Sequence, residues 1–404
     1  MDWIPLFHKP KEKKKIVDLI VSIGDTLPKS KIEAPGLLVG NSGISIFYAY
    51  LYLLTKKYSY KKISKELIGK ALMEISKSEL SGSFAEGICG ICWSYKYQID
   101  NKLIKANYED TISEEINEYL AKHASFNFKN GHYDFLYGGL GSALFLLNFK
   151  NVNFINSSLQ EYVLTLKEIS TKDSNGIAWI DKAIINYKSY NLGLSHGIPS
   201  IIFVLCKAIE NNINTNDSCT LLNKSIKWLL DKQKYSDFPS CFPEEFINKT
   251  TKGSSGLRWC YGDLGIASVL YHAGKITGNN KWIDEAIRIM LHASKRKDLE
   301  PHQVLDACFC HGSVGIAHIF NRFYQVTKIE EFKIAAKYWY LQTLSFSKID
   351  QENMGFKTSR LDEFGKKYTT YEYGILQGSA GIGLALISAI SAIEPKWDKC
   401  LLLS

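Results

Sequence analysis

One four-residue element recurs along the 404 residues and limits what the chain can fold into. It is Gly-x-x-Gly followed by a small or apolar run, at residues 40–43, 87–90, 138–141, 262–265, 312–315 and 378–381. A degenerate copy, Gly197-Ile198-Pro199-Ser200, takes the fourth place in a series of seven. Such regular self-similarity marks a repeat architecture. A glycine at a helix start permits a tight turn and a close backbone approach. The second glycine, one helical turn on, is expected to let neighbouring helices pack closely.

The stretches after the glycines, such as Ile266-Ala267-Ser268-Val269-Leu270, carry apolar residues at helical spacing. Before most of them runs a second, amphipathic stretch; residues 64–76, 225–230 and 282–292 are examples. Seven helical pairs, one member strongly apolar and the other amphipathic, predict an all-α chain. The expected form is an α/α toroid of seven helical hairpin repeats in two concentric layers. An open solenoid would need polar terminal caps, whereas the last repeat here stays very apolar. The whole of 1–404 is read as one toroid domain, with a short basic N-terminal segment at 1–15. The intervals 233–258 and 345–373 read as loop material, the latter as a lid, an insert or a short strand pair.

Composition closes off other classes. With 46% hydrophobic and 22% charged residues and a net charge of +8, the chain is of ordinary globular type. It lacks the long basic stripe of a nucleic-acid binder. The run Lys9-Pro10-Lys11-Glu12-Lys13-Lys14-Lys15 reads as a solvated tail, or as a weak attraction to anionic lipid or an acidic peptide. Windows 37–54 and 374–393 are apolar enough to raise a membrane span, but each contains the repeat element and is read as buried core. The opening Met1-Asp2-Trp3-Ile4-Pro5 does not have the form of a secretory signal. The expected location is therefore cytoplasmic, peripheral at most to the inner face of the membrane. Nine cysteines then suggest free thiols or metal ligands.

Three repeats place metal-capable or acid–base side chains just before the glycine: Ser195-His196-Gly197, Trp259-Cys260-Tyr261-Gly262 and Cys310-His311-Gly312. Equivalent positions in a repeat are the reason to group them. Cys260, Cys310 and His311 would give zinc three protein ligands and an open fourth position, the pattern of catalytic zinc. The bland alternative is that each cysteine is a small core residue. His196 is then available for acid–base work, or is a satisfied pocket histidine. Asp134 orients it or caps the following helix. Arg258 and Tyr261 flank a ligand and either steady negative charge or pack. Cys308 is the most deceptive neighbour of the ligand set. Cys89-Gly90-Ile91-Cys92 reads as core packing. His272, His292, His302 and His318 have no partner motif.

Taken together, Ser-His-Gly, Trp-Cys-Tyr-Gly and Cys-His-Gly within Gly-x-x-Gly repeats resemble the lanthionine synthetase C-like cyclases, over nearly the whole span 40–381. The resemblance implies an α/α toroid of seven helical pairs and one zinc per chain, held by Cys260, Cys310 and His311. It implies acid–base catalysis by His196, with Asp134 as its partner and Arg258 near the first ligand. The length resembles the stand-alone cyclase of lantibiotic pathways. The implied reaction is addition of precursor-peptide cysteine thiols to dehydroalanine or dehydrobutyrine, giving lanthionine and methyllanthionine rings. Implied partners are a dehydrated precursor peptide with its leader, and a complex with a dehydratase and a transporter. Alternatives are addition of a small thiol such as glutathione to dehydrated residues, zinc-assisted prenyl transfer, or a zinc-stabilised peptide-binding scaffold without catalysis.

Overall fold

The glycines of the repeat answer to steric demands, visible in a computed structural model that describes residues 2–27, 32–149, 152–182, 189–234, 239–247, 250–347, 356–361 and 366–404. In chain order the first helices are α1 (Pro10–Thr26), α2 (Asn41–Thr55), α3 (Tyr58–Lys77), α4 (Ile88–Asp100), α5 (Glu114–Lys129), α6 (Gly139–Leu146) and α7 (Asn153–Glu168). They are followed by α8 (Ile198–Glu210), α9 (Thr215–Leu230), α10 (Asp263–Thr277), α11 (Asn280–Ser294), α12 (Ser313–Thr327), α13 (Glu330–Ser345) and α14 (Ser379–Ile390). The first glycine of every motif is the N-cap of an even-numbered helix.

A helix leaves its first N–H groups without partners inside the helix. Here the first N–H reaches back seven residues: Asn41 to the Ala34 carbonyl (2.8 Å), Ile88 to Ser81 (2.9 Å), Gly139 to His132 (3.0 Å), Ser313 to Asp306 (3.0 Å) and Ser379 to Glu372 (3.0 Å). At Gly40, Gly87 and Gly138 that same carbonyl oxygen lies where a Cβ would stand. The second glycine is needed for a related reason. A Cβ on Gly43, Gly141, Gly265, Gly315 or Gly381 would strike the carbonyl of Leu37, Phe135, Trp259, Phe309 or Ile375, each in the loop just before. The other close neighbours of Gly141 and Gly43, Phe84 and Ile375, also lie in loops, those of adjacent repeats, so these glycines make room for loops rather than for the helix–helix packing expected. Gly262 alone among the caps has a positive φ, +95°, which a larger residue rarely adopts.

The loops are also joined to one another at a fixed place, two residues before the cap. The Leu38 N–H donates to the Ala85 carbonyl (2.8 Å), Leu376 to Leu38 (3.0 Å), Cys310 to Leu376 (2.9 Å) and Ser195 to Cys260 (3.3 Å).

The even-numbered helices are buried almost throughout; all twelve residues of α14 and all eight of α6 are inside. The odd-numbered helices bury one face, as α11 does with Trp282, Ala286, Ile289, Met290 and Ala293. Both apolar windows are core, and no helix among the described residues is long and apolar enough to cross a membrane. The basic run is not a loose tail: Pro10 opens α1, and Lys11, Lys13, Lys14 and Lys15 are exposed on its first turns.

The chain forms two compact units. The first comprises Met1–Ser81, Ala85–Tyr108 and Lys297–Leu401. Within it α2 packs on α3 and α12 on α13, and α14 packs on α2, α1 and α12, so the last repeat lies against the first. Trp3 Nε1 donates to the Ser388 carbonyl (2.7 Å) and the Leu6 N–H to Ala389 (2.8 Å). A 3-10 helix, Lys396–Leu401, brings Asp398 under α12. There His318 Nε2 lies 2.7 Å from Asp398, and Arg322 grips both carboxylate oxygens at 2.6 and 2.8 Å. Burial alone would push the Asp398 carboxyl up; the Arg322 charge and the His318 hydrogen bond outweigh it and hold it below its ordinary value. Strands β6 (Thr358–Leu361) and β7 (Lys367–Thr370) form the strand pair expected in 345–373. Residues 348–355 and 362–365 of that interval lie outside the described residues.

The second unit comprises Gly82–Phe84, Glu109–Arg296 and Leu402–Ser404. Its pairs are α5 with α6, α8 with α9 and α10 with α11, and α8 packs on both α6 and α10. Two short antiparallel sheets accompany them. The strands β1 (Thr171–Asp173) and β2 (Gly176–Ala178) form one. The strands β3 (Ser189–Asn191), β4 (Glu245–Ile247) and β5 (Thr250–Lys252) form the other, so the interval 233–258 is not only loop.

Replacing Asp398 strands a buried guanidinium and a buried imidazole. Breaking such a group by removing one partner costs about 3–5 kcal/mol. Asp398→Ala should therefore lower unfolding stability by that order in a urea titration, and an unchanged midpoint would show that the cluster contributes nothing.

Candidate active site

The second unit gathers three of the expected site residues, Asp134, Cys260 and Tyr261, around His196. Asp134 stands four residues before the Gly138 cap. Its Oδ1 accepts the N–H groups of Leu136 (2.7 Å) and Tyr137 (2.8 Å), which fixes the loop. Its Oδ2 lies 2.5 Å from His196 Nδ1. One carboxylate thus caps its own loop and holds the imidazole of the next repeat. With Nδ1 engaged, Nε2 is the nitrogen left for proton exchange.

Two aromatic rings enclose the imidazole. Tyr137 lies parallel to it, 9° between planes and 6.2 Å between centroids, and Tyr261 lies on another side at 6.3 Å. The histidine side chain keeps about 30% of its surface open. Burial is the largest influence on its pKa and pulls it down. The hydrogen bond and charge of Asp134, aided by Cys260 and Asp181, outweigh burial and set it above the ordinary histidine value. The structure therefore favours a protonated His196 more than free histidine would be.

Cys260 is brought beside this pair by the Ser195 N–H and hydroxyl, which both donate to its carbonyl (3.3 and 3.4 Å). Tyr261, the next residue, accepts from Asn191 Nδ2 (3.1 Å), and the same amide reaches Asp181 (3.1 Å). Asn191 ends β3, and its Oδ1 accepts the Gly193 N–H (2.9 Å), so the three-stranded sheet sets the direction of the tyrosine. Arg258 points toward Glu244, the residue before β4, Nη1 to Oε1 at 3.2 Å. Asn191, Asp181, Tyr137 and Glu244 were not singled out from the sequence.

Cys310 and His311 belong to the first unit. Cys310 holds the same place relative to Gly312 that Cys260 holds relative to Gly262, two residues before the cap. Asp306 Oδ1 accepts the Cys308 N–H (2.9 Å), its Oδ2 accepts the Ser359 N–H from β6 (2.8 Å), and His311 Nε2 faces that oxygen at 3.6 Å. Ligand-capable atoms of Asp306, Cys308 and His311 all lie within 4.8 Å of one another. Cys241, Asp263 and His292 in the second unit form a similar group. There the fully buried Asp263 is already satisfied by Arg296 (3.2 Å) and by the N–H groups of Cys241 and Phe242 (2.9 and 3.0 Å), the pattern of a structural lock. Cys89 and Cys92 are fully buried, as expected of core residues. His318 is spent in the lock with Asp398.

Comparison with known proteins agrees with this layout. The sequence profile of the family described as lanthionine synthetase C-like protein matches residues 32–402. Nisin biosynthesis protein NisC of Lactococcus lactis subsp. lactis is similar, with 23% identity over 427 aligned positions that take in 98% of this chain and 97% of that protein. The solved structure titled nisin cyclase matches with a TM-score of 0.74 and 19% identity, covering 98% of each chain. The shared fold is the all-α toroid of helical hairpins expected from the repeats.

If Asp134 is what raises the histidine, Asp134→Asn should lower the His196 pKa, since an amide cannot stabilise the imidazolium by charge. An NMR titration of the ring protons reads this directly; a pKa unmoved by the substitution would assign the shift elsewhere.

Proposed function

The chain belongs to the lanthionine synthetase C-like protein family, and we propose that it is a zinc-dependent cyclase that closes thioether rings in a dehydrated precursor peptide, as in lantibiotic biosynthesis. The observation that carries this reading is the Asp134–His196 pair, in which the imidazole is held at Nδ1 beside the Cys260 loop. The substrates are a cysteine thiol and a dehydroalanine or dehydrobutyrine of one peptide, the latter made from Ser or Thr by a separate dehydratase. A leader on the precursor, and an assembly with the dehydratase and a transporter, belong to the same scheme.

The proposed metal ligands are Cys260, Cys310 and His311. Two thiols and one imidazole are a donor set suited to zinc. Cys260 and Cys310 each keep about 8% of their surface open, whereas the core cysteines Cys89, Cys92 and Cys206 keep none. When bound, zinc would keep a substrate thiol ionised near neutral pH, where a free thiol with a pKa of about 8.5 is mostly protonated.

The remaining work falls to the chain's own side chains. The substrate thiolate adds to the β-carbon of the dehydrated residue, and electron density moves to the α-carbon and its carbonyl. His196, charged through its bond to Asp134, gives its Nε2 proton to the α-carbon. Tyr137 and Tyr261 flank the imidazole and hold the plane in which it meets the substrate. Tyr261 is assigned the further task of donating its hydroxyl hydrogen toward the enolate oxygen, with Asn191 fixing the phenol. Arg258, directed by Glu244, adds positive charge near the same oxygen.

A positioned general acid is worth ~10²–10⁴ in rate. His196→Ala should keep its zinc and its helical signal while losing ring formation by that factor, read by mass spectrometry after alkylation of unreacted thiols. Cys310→Ala should lose the metal itself. A wild type that forms rings with no zinc bound would overturn the metal assignment; a His196→Ala enzyme with full activity would remove the acid.

A further inference from the structure

We propose that Asp306 is the positioning residue for His311, holding the imidazole by Nε2 so that Nδ1 is the nitrogen presented to a metal. The proposal deepens the zinc reading above, and names a residue to which that reading gives no role.

Asp306 is buried, with about 2% of its side chain exposed, and stands six residues before the Gly312 cap. Its backbone carbonyl accepts the first N–H of α12, from Ser313. Its Oδ1 closes the turn onto Cys308, and its Oδ2 takes the Ser359 N–H of β6. The carboxylate is thus fixed by two N–H donors, on a backbone itself held by Ser313, before it meets the histidine. His311 Nε2 faces the fixed Oδ2 at 3.6 Å, a gap that a small turn of the ring closes to hydrogen-bonding distance. A metal-binding histidine commonly donates its second ring N–H to a carboxylate, which sets both tautomer and orientation.

The second unit repeats the device. Asp134 likewise spends Oδ1 on N–H groups of its own loop and offers Oδ2 to a histidine that directly precedes a repeat glycine. The nitrogens differ: Nδ1 of His196 is held at 2.5 Å, leaving Nε2 for a proton, while it is Nε2 of His311 that faces its carboxylate, at 3.6 Å, which leaves Nδ1 for a metal. A carboxylate fixed by its own loop thus serves an acid in one case and a metal donor in the other, although Asp134 stands four residues before its cap and Asp306 six.

The test uses the full chain with ¹⁵N-labelled histidine and three variants. In the metal-free protein, long-range proton–nitrogen NMR should show wild-type His311 as the Nε2–H tautomer. Asp306→Ala and Asp306→Asn should shift it toward a mixture, because neither retains the oxygen that faces the ring. Zinc affinity, measured by competition with a chromophoric chelator, should fall ~10–100-fold in both, with the helical signal retained. Asp306→Asn keeps an acceptor for the Cys308 N–H, so it serves if the alanine variant does not fold. Ser359→Pro removes the strand's N–H while leaving the carboxylate, and should keep both tautomer and affinity. The proposal is overturned if the Asp306 variants keep the wild-type tautomer, or if Ser359→Pro weakens zinc as much as they do, which would make Asp306 a strand tether only. A wild type that binds no zinc, yet loses the Nε2–H tautomer in the variants, would sink the zinc reading and leave the Asp306–His311 link standing.

Discussion

The architecture depends on one close contact: a loop carbonyl that accepts the first N–H of a helix and occupies the place of a glycine side chain. A helix N-terminus must satisfy its orphan donors somehow. In most soluble helices a Ser, Thr, Asp or Asn side chain does so. None of the seven glycine-capped helices has a side-chain cap. In five of the seven the backbone of the preceding loop takes that place, and it can approach closely enough only where the cap lacks a Cβ. The cost is conformational freedom in a glycine; the gain is a loop whose path is set by backbone atoms alone.

That independence from side chains explains how one scaffold carries chemistry in some repeats and not in others. The position two residues before the cap is tied by backbone hydrogen bonds whether it holds Leu38, Ala85 or Leu376, or instead Ser195, Cys260 or Cys310. Substituting a leucine there by a cysteine changes no bond that shapes the loop. The functional side chains are thus written onto positions that are already rigid, which is the condition under which a site keeps its geometry. The electrostatics are then added by carboxylates that serve twice. Asp134 and Asp306 each use one oxygen to hold backbone and the other to address a histidine. A carboxylate so fixed loses little further freedom when it meets the ring, so its charge acts on the imidazole at small entropic cost.

What could be read from the sequence follows from this division. The helical pairs and the equivalence of Cys260, Cys310, His196 and His311 were legible because glycine sterics is local and leaves its mark at fixed spacing. Asp134 was legible because it lies close before its glycine. Asn191 and Asp306 were not, although both stand six residues before a cap and both accept the N–H two residues on. Aligning the seven loops that far back would have exposed the pair. The sheet of β3, β4 and β5 left no comparable mark: three-residue strands are too short for alternation to show, and β3 lies far in sequence from the strands it meets. The lysine run misled for a different reason. Its charge reads as solvated tail, yet Pro10 at the first helical position is a helix start signal.

The two ends of the chain complete the argument about closure. A stack of helical pairs buries each pair only against its neighbours, so its outermost pairs need a polar outer face. Here α14 is buried on all sides, and its partners include α2 of the first repeat and α1 from the N-terminus. An apolar last helix is stable only because the first repeat covers it. The Trp3 indole bond to Ser388, the stacking of Arg322 on Trp3 at 5.0 Å and the Asp398 lock then bind both termini to the same seam. These contacts join residues more than three hundred positions apart, so ordering them carries the loop-closure entropy of the intervening chain, and the buried charge pair of Asp398 with Arg322 is the contact there whose loss costs most.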